Sequence, residues 1–503
     1  LPHASDWDNI AKITGDSSWS ASNMEQYIGR IAEWLPTSPT DPTLLLKDEQ
    51  LLQHVVAGAE AMGVKPSVVS TVQGLVDLFT EDPNARTPGR DGKEGYFQIP
   101  LIQKDGARSG VREFIVDTVG KGFPLTVQTN THVTKVLFDT SGKTPRATGV
   151  EYLNGAHLYR ASPLSGGRGT PGSVYASKEV ILAGGTFNTV QMLKLSGIGP
   201  EAELKSFGIK TLVNLPGVGT NMQDRYEVPL NVEHTAEFKL LDGCTFDAQP
   251  HDACFQKWNA NPHPAPFTAA RGTYASNGLV TAMGVHSDDA PTSDLDLFIF
   301  SAPFYFTGYF PGWATAVLPD IKHLSWYALK AHTRNTAGTV ALRSADPLEP
   351  PVINFNYFDT GTTTGGADKE DLAALVQAIR TGRQALKNYN GIGNLLKIIG
   401  EAGSPFTEVQ PGANVTSDAD LGQYVKDHAW GHHASCTNKI GADSDPSAVL
   451  DSEFRVRGTL GLRVVDASVF PSIPGIFIQA PVMMVSEKAA DVILQAAANE
   501  KKP

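Results

Sequence analysis

Two blocks near the carboxyl end of the chain carry residue types suited to proton transfer beside a bound ligand. The first, Ala429-Trp430-Gly431-His432-His433-Ala434-Ser435-Cys436-Thr437-Asn438-Lys439-Ile440-Gly441, sets a histidine pair among small side chains that leave space beside an imidazole. An imidazole titrates near neutrality and takes a hydroxyl proton when it lies within hydrogen-bond reach. The second block, Gly461-Leu462-Arg463-Val464-Val465-Asp466-Ala467-Ser468-Val469-Phe470-Pro471, is an apolar run that closes on an acid. It reads as a buried parallel strand whose carboxyl end meets a ligand. Cys436 has no neighbouring cysteine in sequence with which to exchange, so it reads as an inert small residue. No spacing of His, Cys, Asp or Glu in these blocks reads as a metal site.

Several elements are needed to position those blocks. Apolar residues at helical spacing predict helices over 47–62, 188–195 and 368–386, the last with Leu372, Leu375, Val376, Ile379 and Leu386 on one face. Alternation and turn residues predict strands over 124–139, 147–154, 174–183, 295–301, 324–333, 339–344 and 352–357. A strand, the Gly184-Gly185 turn and a helix in succession imply a nucleotide-binding sheet. Strands in the middle of the chain suggest an antiparallel sheet with loops for substrate. Between 298 and 313 lie Phe298, Phe300, Phe304, Tyr305, Phe306, Tyr309, Phe310 and Trp313, which read either as core and loop anchors or as the wall of a substrate pocket.

Composition bounds these readings. The 503 residues, 41% hydrophobic and 19% charged, suffice for two interleaved domains with large cores. A net charge of -12 argues against nucleic acid or an anionic membrane as partner, because both require basic patches. No apolar run is long enough to span a bilayer. Cys244 and Cys254 are spaced so that a bridge is possible, and Asn414-Val415-Thr416 is a glycosylation sequon. Together they suggest an extracellular protein.

The two carboxyl-terminal blocks, in that order, resemble the active-site region of the glucose-methanol-choline (GMC) oxidoreductases. Three further blocks agree. The stretch Ala183-Gly184-Gly185-Thr186-Phe187 to Ser196-Gly197-Ile198-Gly199-Pro200 is similar to the family's second signature, departing from it at Val190. Pro216-Gly217-Val218-Gly219-Thr220-Asn221-Met222-Gln223-Asp224 is similar to a family loop, and Ser5-Asp6-Trp7-Asp8-Asn9 resembles the stretch after its first signature. The family begins with a strand, a Gly-x-Gly-x-x-Gly turn and a helix that hold the ADP half of FAD. The only formal match, Gly167-Arg168-Gly169-Thr170-Pro171-Gly172, follows a polar run and precedes a strand, so it reads as a surface loop. Leu1 thus looks like a cut end. The ADP-binding piece is then expected either as a separate bound fragment or as a segment removed from this chain.

The resemblance implies an α/β fold with an α+β second domain, in which a Rossmann-like FAD-binding domain is interleaved with a substrate domain on an antiparallel sheet with helices. The expected division is a flavin domain over 1–22, lid-like helices and loops over 23–123, FAD-binding domain over 124–225, substrate domain over 226–420, and FAD-binding domain with active site over 421–503. It implies FAD as cofactor and a small-molecule alcohol as substrate. His433 would be the general base, with His432 and Asn438 beside it. Val133, Gly184, Gly185, Asp466, Ala467, Phe477, Ile478 and Gln479 would meet the cofactor. Phe477 stands where most members carry a second His or Asn on the substrate oxygen. Phenylalanine offers no donor there, so an aryl or other apolar alcohol suits the pocket better than a sugar. Two readings of other classes compete: a flavin-bearing lyase or cyclase on the same fold, and a scaffold that has lost catalysis.

Overall fold

The computed structural model describes residues 1–69, 71–261, 271–276, 280–358, 366–396 and 405–499. Its largest element is a six-stranded sheet, ordered Phe406–Gln410, Tyr226–His234, His323–Lys330, Leu297–Ala302, Thr281–Val285 and Gly95–Gln98, with every pairing antiparallel. Successive side chains on a strand face opposite ways, and here each face has its own cover. Leu324, Trp326 and Ala328 of one strand, and Leu297 and Ile299 of the next, join a core with Leu375, Ile379 and Leu386 of the helix Ala367–Leu396 and with Leu51 and Val55 of the helix Glu49–Ala61. The intervening Tyr327, Leu329, Phe298 and Phe300 belong to smaller clusters on the opposite face, which also hold Phe477 and Trp430. On the neighbouring strand Tyr226, Val228, Leu230 and Val232 take the helix-covered face. Glu227 therefore turns to the other side.

Both helices form where periodicity places them. The second starts at Asp48, whose carboxyl accepts from Leu51 N at 3.0 Å and caps it. Part of the stretch 226–420, including 359–365 and 397–404, lies outside the described residues.

A second core surrounds the parallel pair Val180–Leu182 and Leu462–Val464. The helix Gly185–Leu195 follows the first of these strands at once, and a three-stranded antiparallel sheet of Thr131–Asp139, Arg146–Asn154 and Thr170–Tyr175 lies nearby in the chain. The structure departs from sequence expectation in two places here. The strand expected over 124–139 is formed only from Thr131, and 123–127 is irregular with Phe123, Leu125 and Val127 exposed. The strand expected over 174–183 is split into Thr170–Tyr175 and Val180–Leu182. Alternation marks apolar residues but supplies no ladder partner, and an apolar strand edge without one does not pair. Ile181, within the parallel pair, is 45% exposed, although parallel strands are ordinarily covered on both faces. No helix among the described residues is long and apolar enough to cross a membrane. Cys244 and Cys254 form a disulfide with Cα atoms 5.0 Å apart.

Inside the large core, His54 and His234 share a hydrogen bond between their Nε2 atoms at 2.8 Å, packed against Tyr389, Phe238 and Phe406. One ring donates and the other accepts, so the accepting ring must be neutral. Burial holds His54 well below the usual imidazole range and pushes His234 down to about 3. In the unfolded chain both protonate near pH 6.5, so the unfolded state binds more protons below that point. Their stabilising contribution is whole above about pH 6.5 and is lost as pH falls. Thermal unfolding midpoints should drop from pH 7 to pH 4, and a His54→Leu/His234→Leu double variant should show a shallower acid slope. An unchanged slope in that variant would reject the pair as its source.

Candidate active site

The segment carrying the histidines is held by backbone pairing to the strand that carries Glu227. Trp430 bridges Glu227 and Ser435 bridges Gln223, both antiparallel. Between these bridges the His433 N–H donates to Asp224 Oδ1 at 2.8 Å. Tyr357 donates its hydroxyl to Asp224 Oδ2 at 2.9 Å. Gly431 is required by this close approach, because a Cβ there would lie 2.4 Å from Arg225 O and 2.5 Å from Asp224 Oδ2. Cys436 takes a left-handed backbone with φ of 75° while fully buried, a strained conformation of the kind that persists where the surroundings over-determine it.

The imidazole of His433 is buried, with its ring centroid 4.1 Å from that of His432 and 5.4 Å from that of Phe477. Its Nδ1 lies 3.3 Å from Glu227 Oε1, and His432 Nδ1 lies 3.6 Å from the same oxygen. Neither Glu227 oxygen nor His433 Nδ1 has a hydrogen-bond partner among the described residues. Burial drives the carboxyl of Glu227 well above its ordinary range, with the nearby Asp224 adding to the effect. Burial, with the Arg225 guanidinium nearby, pushes His433 down to about 2 and His432 to about 4. Desolvation thus favours the uncharged forms of all three groups over an ion pair. Arg225 is itself fully buried, donating from Nη2 to Pro474 O at 2.5 Å, while its Nε and Nη1 have no hydrogen-bond partner among the described residues.

A second node lies at the carboxyl ends of the parallel strands. Asp466 Oδ2 accepts from Gly185 N at 3.0 Å and Thr189 Oγ1 at 2.6 Å, and Oδ1 accepts from Ser468 N at 2.8 Å and Ser468 Oγ at 2.5 Å. Cys436 N donates to Ala467 O at 3.1 Å, tying the histidine segment to the same turn. Gly184 and Ala183 are exposed at this strand end, and a Cβ on Gly184 would strike Met192 and Thr189. An open glycine backbone at a strand-to-helix junction suits close approach of a nucleotide cofactor, so these residues fit the group that the sequence implies.

The structure groups some expected residues and separates others. His432, His433 and Phe477 share one cluster. Gly184, Gly185, Asp466 and Ala467 gather at the strand ends. Asn438 joins the second group: its Nδ2 donates to Ser468 Oγ at 3.0 Å, and no hydrogen bond links it to either imidazole. Ile478 and the exposed Gln479 open the helix Gln479–Asn499, and Val133 lies in the three-stranded sheet opposite Tyr152. The aromatic run also divides. Phe298 and Phe300 pack on Phe477, whereas Phe306, Tyr309 and Trp313 surround Trp430 or each other.

Sequence reading had no role for Glu227 or Arg225. The available signal was a lone acid within Tyr226-Glu227-Val228-Pro229-Leu230, an apolar run whose only way to bury a carboxyl is to face a polar site. Glu227 with His432 and His433, and His3 with Asp6 and His332, place ligand-type atoms within 4.8 Å of one another. In the second trio the Asp6 oxygens already bind His3 N, Gly475 N and His332 Nε2, which makes it a staple between distant loops.

Family models of GMC oxidoreductases match residues 2–227 and 334–486. The oxygen-dependent choline dehydrogenase of Vibrio vulnificus is 30% identical over 442 residues, covering 86% of this chain and 68% of that protein. The mitochondrial choline dehydrogenase of Homo sapiens is 33% identical over 428 residues, covering 82% of this chain but only 60% of its own length. Among solved structures, a formate oxidase aligns with a TM-score of 0.74 at 22% identity, over 99% of this chain and 82% of that one. A fungal aryl-alcohol oxidase aligns with a TM-score of 0.64 at 21% identity, over 99% and 84%. At such identities the structures speak for the fold. With both family models matched in chain order and the relatives spanning most of its length, the chain belongs to the GMC oxidoreductase family, whose cofactor is FAD.

Proposed function

We propose that the protein oxidises a primary or secondary alcohol, aryl or otherwise apolar, with His433 as general base. The observation that carries the reading is a buried imidazole with an aromatic neighbour, Phe477, and no hydrogen bond on Nδ1 among the described residues, in a setting whose burial lowers its proton affinity. Bound FAD supplies the hydride acceptor at its N5 atom. On this reading residues 1–22, 124–225 and 421–503 form the cofactor half, 226–420 the substrate half, and 23–123 the lid-like elements. Gly184, Gly185, Asp466, Ala467, Ile478, Gln479 and Val133 hold the cofactor. His433 removes the hydroxyl proton, Phe477 and Phe298 press against the apolar part of the substrate, and the surrounding protein excludes water.

A second substrate reading has its own support. The acid Glu227, buried beside Trp430 and Tyr309 with no hydrogen-bond partner on its carboxyl among the described residues, forms a place where a cationic alcohol would restore the carboxylate charge. The choline dehydrogenase relatives favour it.

The disulfide and the exposed Asn414 of the sequon support an extracellular glycoprotein.

Anaerobic mixing of the holoprotein with 4-methoxybenzyl alcohol should bleach the flavin, and His433→Ala should slow bleaching by roughly 10²–10⁴-fold. Equal rates would remove His433 from the role. Glu227→Gln should spare the aryl alcohol if the apolar reading holds, and abolish choline oxidation selectively if the cationic one does. Intact mass of the protein from its source should carry hexose increments that an N-glycosidase removes. A protein without such increments would contradict the glycoprotein reading.

A further inference from the structure

A cavity of about 480 Å³ lies outside the histidine cluster, lined chiefly by the rings of Phe246, Phe255, Trp258, Tyr274, Phe304 and Trp313. Its volume is typical of small-molecule sites. The cavity is built by specific local devices. The Cys244–Cys254 disulfide closes the loop that carries Phe246 and anchors the helix Ala253–Ala260, from which Phe255 and Trp258 project with ring centroids 5.9 Å apart and an interplanar angle of 17°. Trp258 donates its indole N–H to Gly106 O at 2.8 Å, and the Arg271 guanidinium lies 4.4 Å from its ring centroid. Phe246 adopts a left-handed backbone with φ of 58°, uncommon for a bulky residue, while its N–H donates to the Tyr274 hydroxyl at 2.8 Å.

The hydroxyls at the cavity are committed to protein partners: Tyr274 to Asp252 Oδ2 at 2.5 Å, Thr273 to Leu240 O at 2.5 Å and Ser276 to Thr273 O at 2.7 Å. Arg108, also on the lining, makes no ion pair among the described residues. One unpaired guanidinium lining the same cavity as a set of aromatic rings suits a flat apolar body with a single anionic group, which Arg engages through its planar fork. Rings of the cavity wall also pack toward the candidate active site. Phe304 and Trp313 belong to the ring cluster that contains Phe306, Tyr327 and Trp430, and Trp430 stacks on His432 with centroids 5.4 Å apart.

We propose that this cavity is a second binding site, for an aryl carboxylate, with the ring between Trp258 and its aromatic neighbours and the carboxylate on Arg108. The site does not depend on the role assigned to His433. Titration of the full chain with 4-methoxybenzoate, followed by calorimetry and by tryptophan fluorescence, tests it. One saturable site is expected, and Trp258→Leu should weaken it by roughly tenfold or more. Arg108→Gln, an exposed change that leaves the fold intact, should weaken 4-methoxybenzoate but not its methyl ester. His433→Ala should bind 4-methoxybenzoate as the unaltered chain does. Absence of saturable binding would overturn the proposal, as would equal affinity in Arg108→Gln. Loss in His433→Ala with retention in Trp258→Leu would assign the ligand to the candidate active site and overturn it equally.

Discussion

The whole arrangement depends on one buried carboxyl group. Asp466 stands at the end of one parallel strand and accepts hydrogen bonds from Gly185 and Thr189, just beyond the end of the other, as well as from Ser468 in its own turn. That single side chain fixes the glycine junction, the start of the following helix and the turn against which the histidine segment lies. Each such buried bond contributes about 1 kcal/mol net, but a partner left unsatisfied costs about 1–3 kcal/mol. The node is therefore more expensive to break than its bond count suggests. Its geometry is set by the two strand ends meeting in register, Val464 opposite Leu182.

From that node the chain passes by way of Cys436, in its strained backbone conformation, to His433. There the governing effect is desolvation. Glu227, Asp224, Arg225 and His433 are all buried, and the cost of removing charge from water raises the two carboxyls and lowers the imidazole, with the Arg225 guanidinium pushing His433 further down, so the uncharged forms of Glu227 and His433 are favoured. A neutral imidazole is the protonation state a base requires, and here the fold maintains it without relying on the pH of the medium. The sheet contributes the other half through its period of two. By sending Tyr226 and Val228 to the helix-covered core, it delivers Glu227 to the imidazoles and, from the adjoining strands, Phe298 and Tyr327 to the same side.

How much of this was legible in the sequence varied with the range of the interaction. The helix Ala367–Leu396 was marked by Leu375, Val376 and Ile379, whose spacing is a local property. The His433 segment and the Asp466 strand were marked by residue type and order. Asn438 was read beside His433 from nearness in the chain, whereas its amide turns to Ser468, a partner thirty residues away. Glu227 was missed for the same reason in reverse: its distance along the chain from His433 is great, and long-range pairing such as the antiparallel bridge Glu227 to Trp430 brings them together. The irregular stretch before Thr131 shows that alternation alone cannot form a strand without a neighbour on which to hydrogen-bond.

The most direct test of the account is the pH dependence of flavin reduction in a single anaerobic turnover. With His433 held neutral by burial down to about 2, the rate constant should stay level between pH 5 and pH 8. A rate that falls with acid through one ionisation near the ordinary imidazole value of about 6.5 would contradict it, because the base would then be exposed to solvent.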